Sequence, residues 1–453
     1  MCYDFLKTII SYLYLGNYAE LKRMNVAYMV QRINQDVNCI VSFYLNFLLG
    51  CISNILQILL ISILLLNINI YMFILVIILN ISYWILYFLF KKKLYKLKYM
   101  LKEKSDIMYA MIYEQLRYFK LIYFFDIGNY LKDRLNMAYS KYYKVSIQAQ
   151  KVNYGFISIQ TILKYSAQII LFIFGGINII EGKLSIGIYS IMAGYFTSLN
   201  DSLKFFIDSL NSYIEVKVSI NRINEIISAG KIHSSKMIKV DSINKIEINN
   251  LKLDIGEKLL VRNFNYKFEK GKSYCICGRN GSGKTTLIET IMGLMNDNYK
   301  GQILYNDTDI RLIDTKSLML NCISYLPQEV DIIEDTIFNN ITFCQEYEKN
   351  IFNKLLIDFD LKKEIIEGKI NNQNSNISGG EKKKIGIIRT MLKKADLYIF
   401  DEPLASLDIK AQKKFKTLID CLKKNAIVII ITHENKAESD FYDKQIYLEE
   451  NIW

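Results

Sequence analysis

The chain has 453 residues, with 57 Lys and Arg against 45 Asp and Glu and a formal net charge of +12. Hydrophobic residues make up 51% and the mean hydropathy is +0.12, too apolar for an ordinary soluble enzyme of this length. The basic excess suggests nucleic acid at first sight, but no basic-aromatic binding module is legible, and positive charge flanking membrane spans accounts for it better.

The length allows two or three domains, and all the long uncharged runs lie before residue 210. With only two prolines in the chain, long helices meet few interruptions. Asp4 to Asn38 is mixed in polarity, whereas Ile40 to Leu66 and Ile68 to Phe90 hold no charged residue. Each run is long enough for a helix to cross a hydrocarbon core of about 30 Å at about 1.5 Å per residue. Joined at Asn67, they predict a hairpin, and two such runs back to back weigh against buried helices of a soluble protein. Lys22, Arg23 and Arg32 precede the hairpin and Lys91, Lys92 and Lys93 follow it, which places both of its ends in the cytoplasm. Residues 91–151 are polar, aromatic-rich and free of proline. They predict two long cytoplasmic helices, with a turn near Asp106 to Tyr118 as the place to touch a neighbouring domain.

Tyr165 to Ile180, the turn Glu181-Gly182-Lys183, and Leu184 to Asn200 predict a second hairpin, its spans set at about 155–180 and 184–207. Lys144 and Lys151 before it and Lys217 and Arg222 after it repeat the inside-positive bias. Lys164, Asp201 and Lys204 lie at the inner ends of these spans. Lining a substrate path, snorkelling, and a cytoplasmic helical extension are all open readings for them. The polar stretch Ile223 to Asn244, with Gly230, His233, Ser234 and Ser235, predicts a linker, with His233 a solvated loop residue. The domain boundaries follow as 1–228 for the membrane half, 229–244 for the linker and 245–453 for the second half.

From about Ile246 short β-rich runs alternate with helical stretches, the pattern of a three-layer α/β domain. Gly278-Arg279-Asn280-Gly281-Ser282-Gly283-Lys284-Thr285 follows an apolar run and opens a helix, the setting in which G-x-x-x-x-G-K-[ST] cradles phosphate. Glycines bare consecutive backbone N–H groups to phosphate oxygens. Lys284 supplies positive charge to the β and γ phosphates, Thr285 a hydroxyl to Mg²⁺, and Thr286 completes the nucleotide-binding set. Cys275 and Cys277 form a C-x-C in the strand leading to this loop, where burial is expected over metal binding. The other cysteines are scattered at 2, 39, 51, 322, 344 and 421, and free thiols fit a reducing cytoplasm.

Further elements follow in order. Pro327-Gln328 ends the strand Ile323 to Leu326 and precedes a helix-like Thr336 to Ile341. Ile377-Ser378-Gly379-Gly380-Glu381 opens a basic amphipathic helix, a second anion-binding end. Leu397-Tyr398-Ile399-Phe400-Asp401-Glu402 sets an apolar strand against two carboxylates at its carboxyl end, where ligands gather in open α/β sheets. Ile427 to Ile431 leads likewise to Thr432-His433-Glu434.

These motifs, together with Ser406-Leu407-Asp408, resemble the nucleotide-binding domain of an ABC transporter over about residues 246–440. The preceding half resembles the membrane domain of ABC exporters, and its position ahead of the ATPase half favours an exporter over an importer. The implied fold class is a multi-domain membrane protein. An all-α transmembrane domain with long cytoplasmic helices is followed by an α/β P-loop NTPase domain of the ABC type. ATP and Mg²⁺ are the implied ligands. By the resemblance Asp401 holds Mg²⁺ through water, Glu402 is the general base, His433 bonds the γ-phosphate, and Gln328 senses Mg²⁺ and water. Two such domains are implied to close head to tail, so that Ser378, Gly379 and Gly380 of one cap the γ-phosphate on Lys284 of the other, with Asp408 crossing the same interface.

The chain departs from the family pattern in several places. Ile255 stands where an aromatic ring commonly stacks on adenine, Ile377 and Glu381 replace the usual leucine and glutamine, and no acidic-glycine element is legible in Asn371 to Asn376. Exporters of this type usually have six spans, and four are read here. Asp4 to Asn38 resembles the loop after a second span, so the first hairpin is expected on a separate chain, upstream of a misplaced start, or lost. No signal peptide or peptidase domain is read ahead of the spans. The leading function is ATP-driven export across the cell membrane by a homodimer, or by a heterodimer with another half-transporter, with the ATP-binding domain in the cytoplasm. The cargo by analogy is a peptide such as a bacteriocin, and lipid or drug export is the alternative. A membrane-bound ATPase with a regulatory or immunity role and no complete transport pathway is the competing class. No nucleic-acid partner is expected.

Overall fold

The charge-free runs near the amino end become parts of helices much longer than a bilayer is thick. The structure is a computed structural model. It describes residues 2–14, 16, 18–229, 238–255, 258–279, 281–295, 299–343, 345–361, 368, 377–433 and 442–448. The chain divides into two compact units, Met1–Ile232 and His233–Trp453.

In the first unit α1 (Cys2–Tyr14) and α2 (Tyr18–Arg23) lead into α3 (Val26–Ile68), α4 (Ile70–Arg117), α5 (Phe119–Phe125), α6 (Gly128–Ile180) and α7 (Ile186–Ala229). Asn25 caps α3 by accepting from the Tyr28 N–H at 3.2 Å. With 43 residues, α3 is about 65 Å long at about 1.5 Å per residue. The break between α3 and α4 falls at Asn69, two residues beyond the expected Asn67. Asn69 is extended, and its side chain accepts from the Tyr71 N–H at 2.9 Å, which starts the next helix. The turn expected near Asp106 to Tyr118 also lies later. Helix α4 runs unbroken to Arg117, and the reversal occupies Tyr118 to Ile127, because Asp106 is buried in an ion pair rather than at a bend. The expected linker start at Ile223 is corrected too. Helix α7 continues to Ala229, and Ile223 and Ile226 are buried against Ile9, Val37 and Val216.

Helix α3 packs chiefly on α7, and α4 on α6 and α7. Tyr83, Phe156 and Phe196 lie at the centre of the larger core. The outward faces are apolar as well, with Leu49 and Ile52 well exposed, as lipid-facing surface requires. Among the described residues three helices are long and apolar enough to cross a membrane: Val26–Ile68, Phe73–Arg117 and Gly128–Ile180. The expected fourth span, 184–207, falls in α7, where Asn200, Asp201 and Lys204 dilute the apolar run. Lys164 and Asp201 form an ion pair at 2.7 Å that ties α6 to α7. Deeper in, Arg222 on α7 pairs with Asp36 on α3 at 2.9 Å and with Asp106 on α4, and Lys102 reaches Asp36 at 3.0 Å.

Among its described residues the second unit holds two sheets. β1 (Lys245–Ile255) pairs antiparallel with β2 (Lys258–Glu269) and with β4 (Tyr299–Tyr305), and β5 (Thr308–Asp309) follows on the edge. The main sheet is parallel, in the order β6 (Ile323–Leu326), β7 (Leu397–Asp401), β8 (Ile427–Thr432), β3 (Ser273–Cys277), β9 (Lys444–Tyr447). Its central strands read as continuous apolar runs because both faces are covered. Tyr274, Ile276, Ile399 and Ile429 pack on one side with Leu287 and Ile291 of α8 (Lys284–Ile291). Phe400, Val428 and Ile430 pack on the other. The remaining α-helices among the described residues are α9 (Thr315–Asn321), α10 (Ile337–Thr342), α11 (Lys349–Asp358), α12 (Gly379–Leu392) and α13 (Ile409–Leu422). The order of the strands in the sheet, which differs from their order in the chain, brings the carboxyl ends of β3, β7 and β8 side by side, the place where such sheets bind ligands.

Candidate functional site

All five residues of β3 are buried, and the strand ends at Cys277, directly before the glycine-rich loop. Gly281 and Gly283 adopt φ of 82° and 90°, which a side chain would strain. At Gly278 a Cβ would come within 2.8 Å of the Leu448 carbonyl oxygen. Among the described residues Ser282 Oγ is buried without a hydrogen-bond partner. Thr286 continues α8, its carbonyl accepting from Thr290 Oγ1 at 2.7 Å. Asn280 lies outside the described residues.

Lys284 is only 5% exposed. Its Nζ donates to the carbonyls of Gly278 at 2.7 Å and Arg279 at 3.0 Å, and lies 3.1 Å from His433 Nδ1. Burial holds this ammonium below the ordinary lysine range, against the pull of Glu402 and Asp401. Thr285 Oγ1 donates to Asp401 Oδ2 at 3.1 Å. Burial raises the Asp401 carboxyl above its usual value, partly offset by that hydrogen bond. Glu402 follows in a left-handed conformation, φ 48°, its N–H donating to the Ile431 carbonyl at 3.0 Å and its Oε1 meeting His433 Nε2. A cavity of about 380 Å³ opens beside Glu402 and His433, with Thr432, Gln412 and Tyr442 among its walls.

Lys284, Thr285, Asp401, Glu402 and His433 therefore stand together. Gln328 follows β6, next to β7, and its carbonyl accepts from Lys383 at 3.1 Å. The Ser378 turn forms a separate feature. Ser378 caps α12 by a reciprocal box, its Oγ accepting from the Glu381 N–H at 3.2 Å while its own N–H donates to Glu381 Oε2 at 2.8 Å. Gly379 begins the helix, and a Cβ at Gly380 would lie 2.9 Å from the Ser406 carbonyl. Asp408 caps α13 through the Ala411 N–H at 2.8 Å and pairs with Lys384 at 2.9 Å, and that hydrogen-bonded pair holds its carboxyl below the usual range. Within one chain Asp408 thus sits beside the Ser378 helix.

Cys275 and Cys277 are buried with their sulfurs 3.3 Å apart, as their place in a central strand predicts. Ile255 ends β1 opposite Lys258, with its side chain outside the described residues. His233, Glu434 and Asn371 to Asn376 also lie outside them. Sequence reasoning missed Lys383. It is buried, and its Nζ donates to the carbonyls of Pro327, Gln328 and Asp401. In the run Lys382-Lys383-Lys384 nothing in the local sequence distinguishes it from the lysines on either side.

A phosphate-binding loop, two strand-end carboxylates and a strand-end histidine on one parallel sheet, preceded by long apolar helices, define a membrane protein with an ABC-type ATPase domain. A family model described as "ABC transporter transmembrane region" matches residues 16–203, and one described as "ABC transporter" matches residues 261–405. The chain belongs to the ABC transporters, with a transmembrane region fused to an ATP-binding domain.

Among its relatives is the lactococcin-G-processing and transport ATP-binding protein LagD of Lactococcus lactis subsp. lactis. That protein is 25% identical over 363 residues, covering 76% of this chain and 50% of its own length. The ATP-dependent lipid A-core flippase of Francisella tularensis subsp. holarctica is 29% identical over 210 residues, 44% of this chain and 34% of that protein. A putative export ATP-binding/permease protein of Rickettsia bellii is 25% identical over 444 residues, 93% of this chain and 76% of that protein. The chain thus spans about half the length of the first relative and about a third of the second. A solved bacterial Atm1-family ABC exporter with ATP bound superposes with a TM-score of 0.87 over 99% of this chain and 80% of that one. At 16% identity this likeness is one of fold.

Proposed function

We propose that this chain is one half of an ATP-driven exporter in the cell membrane, and that two ATP-binding domains close head to tail on two ATP molecules. The observation that carries the reading is the convergence of Lys284, Thr285, Asp401, Glu402 and His433 at adjoining strand ends.

The residues fit a magnesium ion as well as a nucleotide. Asp401 is a carboxylate whose pKa burial raises, and its neighbour Thr285 adds a second hard oxygen. Asp401, Thr285 and Gln328 would hold the ion, which when bound supplies positive charge to the β and γ phosphates. Among the described residues no group of three or more His, Cys, Asp or Glu stands ready to cage a metal by itself. That donor set suits an ion kept largely by phosphate and water.

The chain's own residues then divide the work. Lys284 exchanges two backbone carbonyls for phosphate oxygens, which repays its desolvation. Glu402 orients a water and takes its proton as the oxygen attacks phosphorus and the bond to the ADP oxygen breaks. His433 holds Glu402 here through Nε2, and that N–H is read as the donor that turns to the γ-phosphate when ATP is bound. The exposed Ser378-Gly379-Gly380 end of α12 is read as the surface that caps the nucleotide of a second ATPase domain, with Asp408 beside it. Pairing and release of the two domains drive alternating access in the membrane half, for which four spans are proposed.

A peptide of the bacteriocin kind is the favoured cargo, because the lactococcin relative matches over 76% of the chain and the flippase over 44%. Inverted membrane vesicles test this reading. ATP-dependent uptake of a labelled cationic peptide, abolished by Lys284→Ala, is the expected result. Transfer of a labelled lipid alone would move the assignment to a flippase. ATP hydrolysis with neither movement would leave a regulatory ATPase.

A further inference from the structure

Lys383 is a buried cation that the reaction as described does not use. It lies in the second turn of α12, 5% exposed, with its Nζ 3.0 Å from the Asp401 carbonyl, 3.1 Å from that of Gln328 and 3.4 Å from that of Pro327. Burial lowers its pKa, and the carboxylates of Asp401 and Glu402 offset that cost. An ammonium has three donors and no acceptor, and here each donor has its own carbonyl. A buried ammonium is costly to keep, so a point that spends one on three backbone oxygens invites a reason.

The Asp401 carbonyl belongs to the peptide unit that joins Asp401 to Glu402. Its oxygen is held by Lys383, and its N–H, that of Glu402, is held by the Ile431 carbonyl at 3.0 Å. Both poles of this one peptide plane are therefore tied. The plane leads into Glu402 at φ 48°, a left-handed conformation unusual for a side chain other than Gly, Asn or Asp. A second anchor runs to the strand end that carries Gln328, and the lysine itself rides on the helix that Ser378 caps.

We propose that Lys383 is a positioning residue for hydrolysis, locking the Asp401–Glu402 peptide and linking its orientation to the Gln328 segment and to α12. Displacement of either is passed through one ammonium to the carboxylate that faces the attacking water. The inference rests on Glu402 as the general base.

The test uses the full-length protein in lipid, with Lys383→Met and Glu402→Gln made in parallel. In K383M the expected result is a fall in kcat on the order of 10- to 100-fold, the scale of a misplaced catalytic group. The KM for ATP, the binding of a fluorescent ATP analogue and the melting temperature should stay near those of the native protein. Should K383M not fold, K383Q, which keeps an amide donor without the charge, is read in the same way. Native kcat in the folded variant overturns the proposal. So does a joint loss of kcat, nucleotide binding and melting temperature, which marks a purely structural lysine. If E402Q keeps its turnover, the reading of Glu402 fails. If E402Q is dead while K383M is native, only the role of Lys383 fails.

Discussion

Nζ of Lys284 and Nδ1 of His433 lie 3.1 Å apart, joined across 149 positions of sequence. An ammonium cannot accept, so Nδ1 accepts and the ring proton resides on Nε2, which faces Glu402 Oε1. Lysine, histidine and glutamate thus form one chain of hydrogen bonds through the site.

Glu402→Gln keeps the shape of this chain and removes the base. Turnover should fall by about 10²- to 10⁴-fold while ATP stays bound. Phosphate release, together with nucleotide retained on a desalting column, measures both. Undiminished hydrolysis would remove Glu402 from its role.

Glu381 puts a carboxylate in the first turn of α12, where it accepts a hydrogen bond from Ser378 Oγ. A negative charge there suits the helix but opposes a triphosphate brought to the same end. Glu381→Gln should strengthen ATP-dependent pairing several-fold, equivalent to about 0.3–1 kcal/mol. ATP-dependent cross-linking in the Glu402→Gln background reads the effect, and an unchanged midpoint argues against it.

Gly386 lies where α12 meets the glutamine segment. A Cβ there would come within 2.6 Å of Val330 Cγ2 and 2.8 Å of Leu326 Cδ1. Gly386→Val should cost about 1–3 kcal/mol by overpacking and depress ATPase activity more than nucleotide binding. Thermal melting and hydrolysis rates on the same preparation check the pair of effects.

In the membrane half Asp36 is fully buried between Arg222 and Lys102. Asp36→Ala leaves both cations without their shared partner and should cost about 3–5 kcal/mol. Melting of detergent-solubilised protein should drop sharply for this variant and less for Asp36→Asn, which keeps a polar contact. Equal, small effects would show that the cluster contributes little.

Asp443 joins β9 to β3, accepting from the Ser273 N–H at 2.8 Å and from Lys423 at 3.1 Å. Burial pushes its pKa up, but the hydrogen bonds from Ser273 and Lys423 win and hold it below 3.8. A depressed carboxyl pKa contributes stability above the unfolded value, and that contribution is lost as pH falls through the folded one. Asp443→Asn should therefore lower stability at neutral pH by about 1 kcal/mol, discounted for its partial exposure and read as a lower melting temperature. The gap to the native protein should close below pH 3.8, and a gap that persists in acid would assign the effect to shape rather than charge.

Much of this was legible along the chain. The strands Ile323 to Leu326 and Leu397 to Asp401 are where their apolar runs place them, because a parallel strand covered on both faces must be continuously apolar. The turn at Glu181 to Lys183 is likewise where a glycine between two apolar runs puts it. The breaks at Asn69 and Tyr118 were displaced. Hydropathy registers where lipid ends, whereas helix ends depend on capping side chains and on whether a charge such as Asp106 finds a buried partner.

Read alone, the residues determined a phosphate loop, an apolar amino half and a set of strand-end acids. Each of these depends on short-range spacing, which local backbone geometry and transfer to lipid dictate directly. Only the tertiary structure decided that Thr285 meets Asp401, that Lys383 spans three carbonyls, and that Arg222 closes on Asp36 and Asp106. Those pairings arise from a strand order that does not follow the chain and from helices crossing more than a hundred residues apart. Hydrogen bonds and ion pairs act over about 3 Å, a distance that spacing along a sequence does not contain.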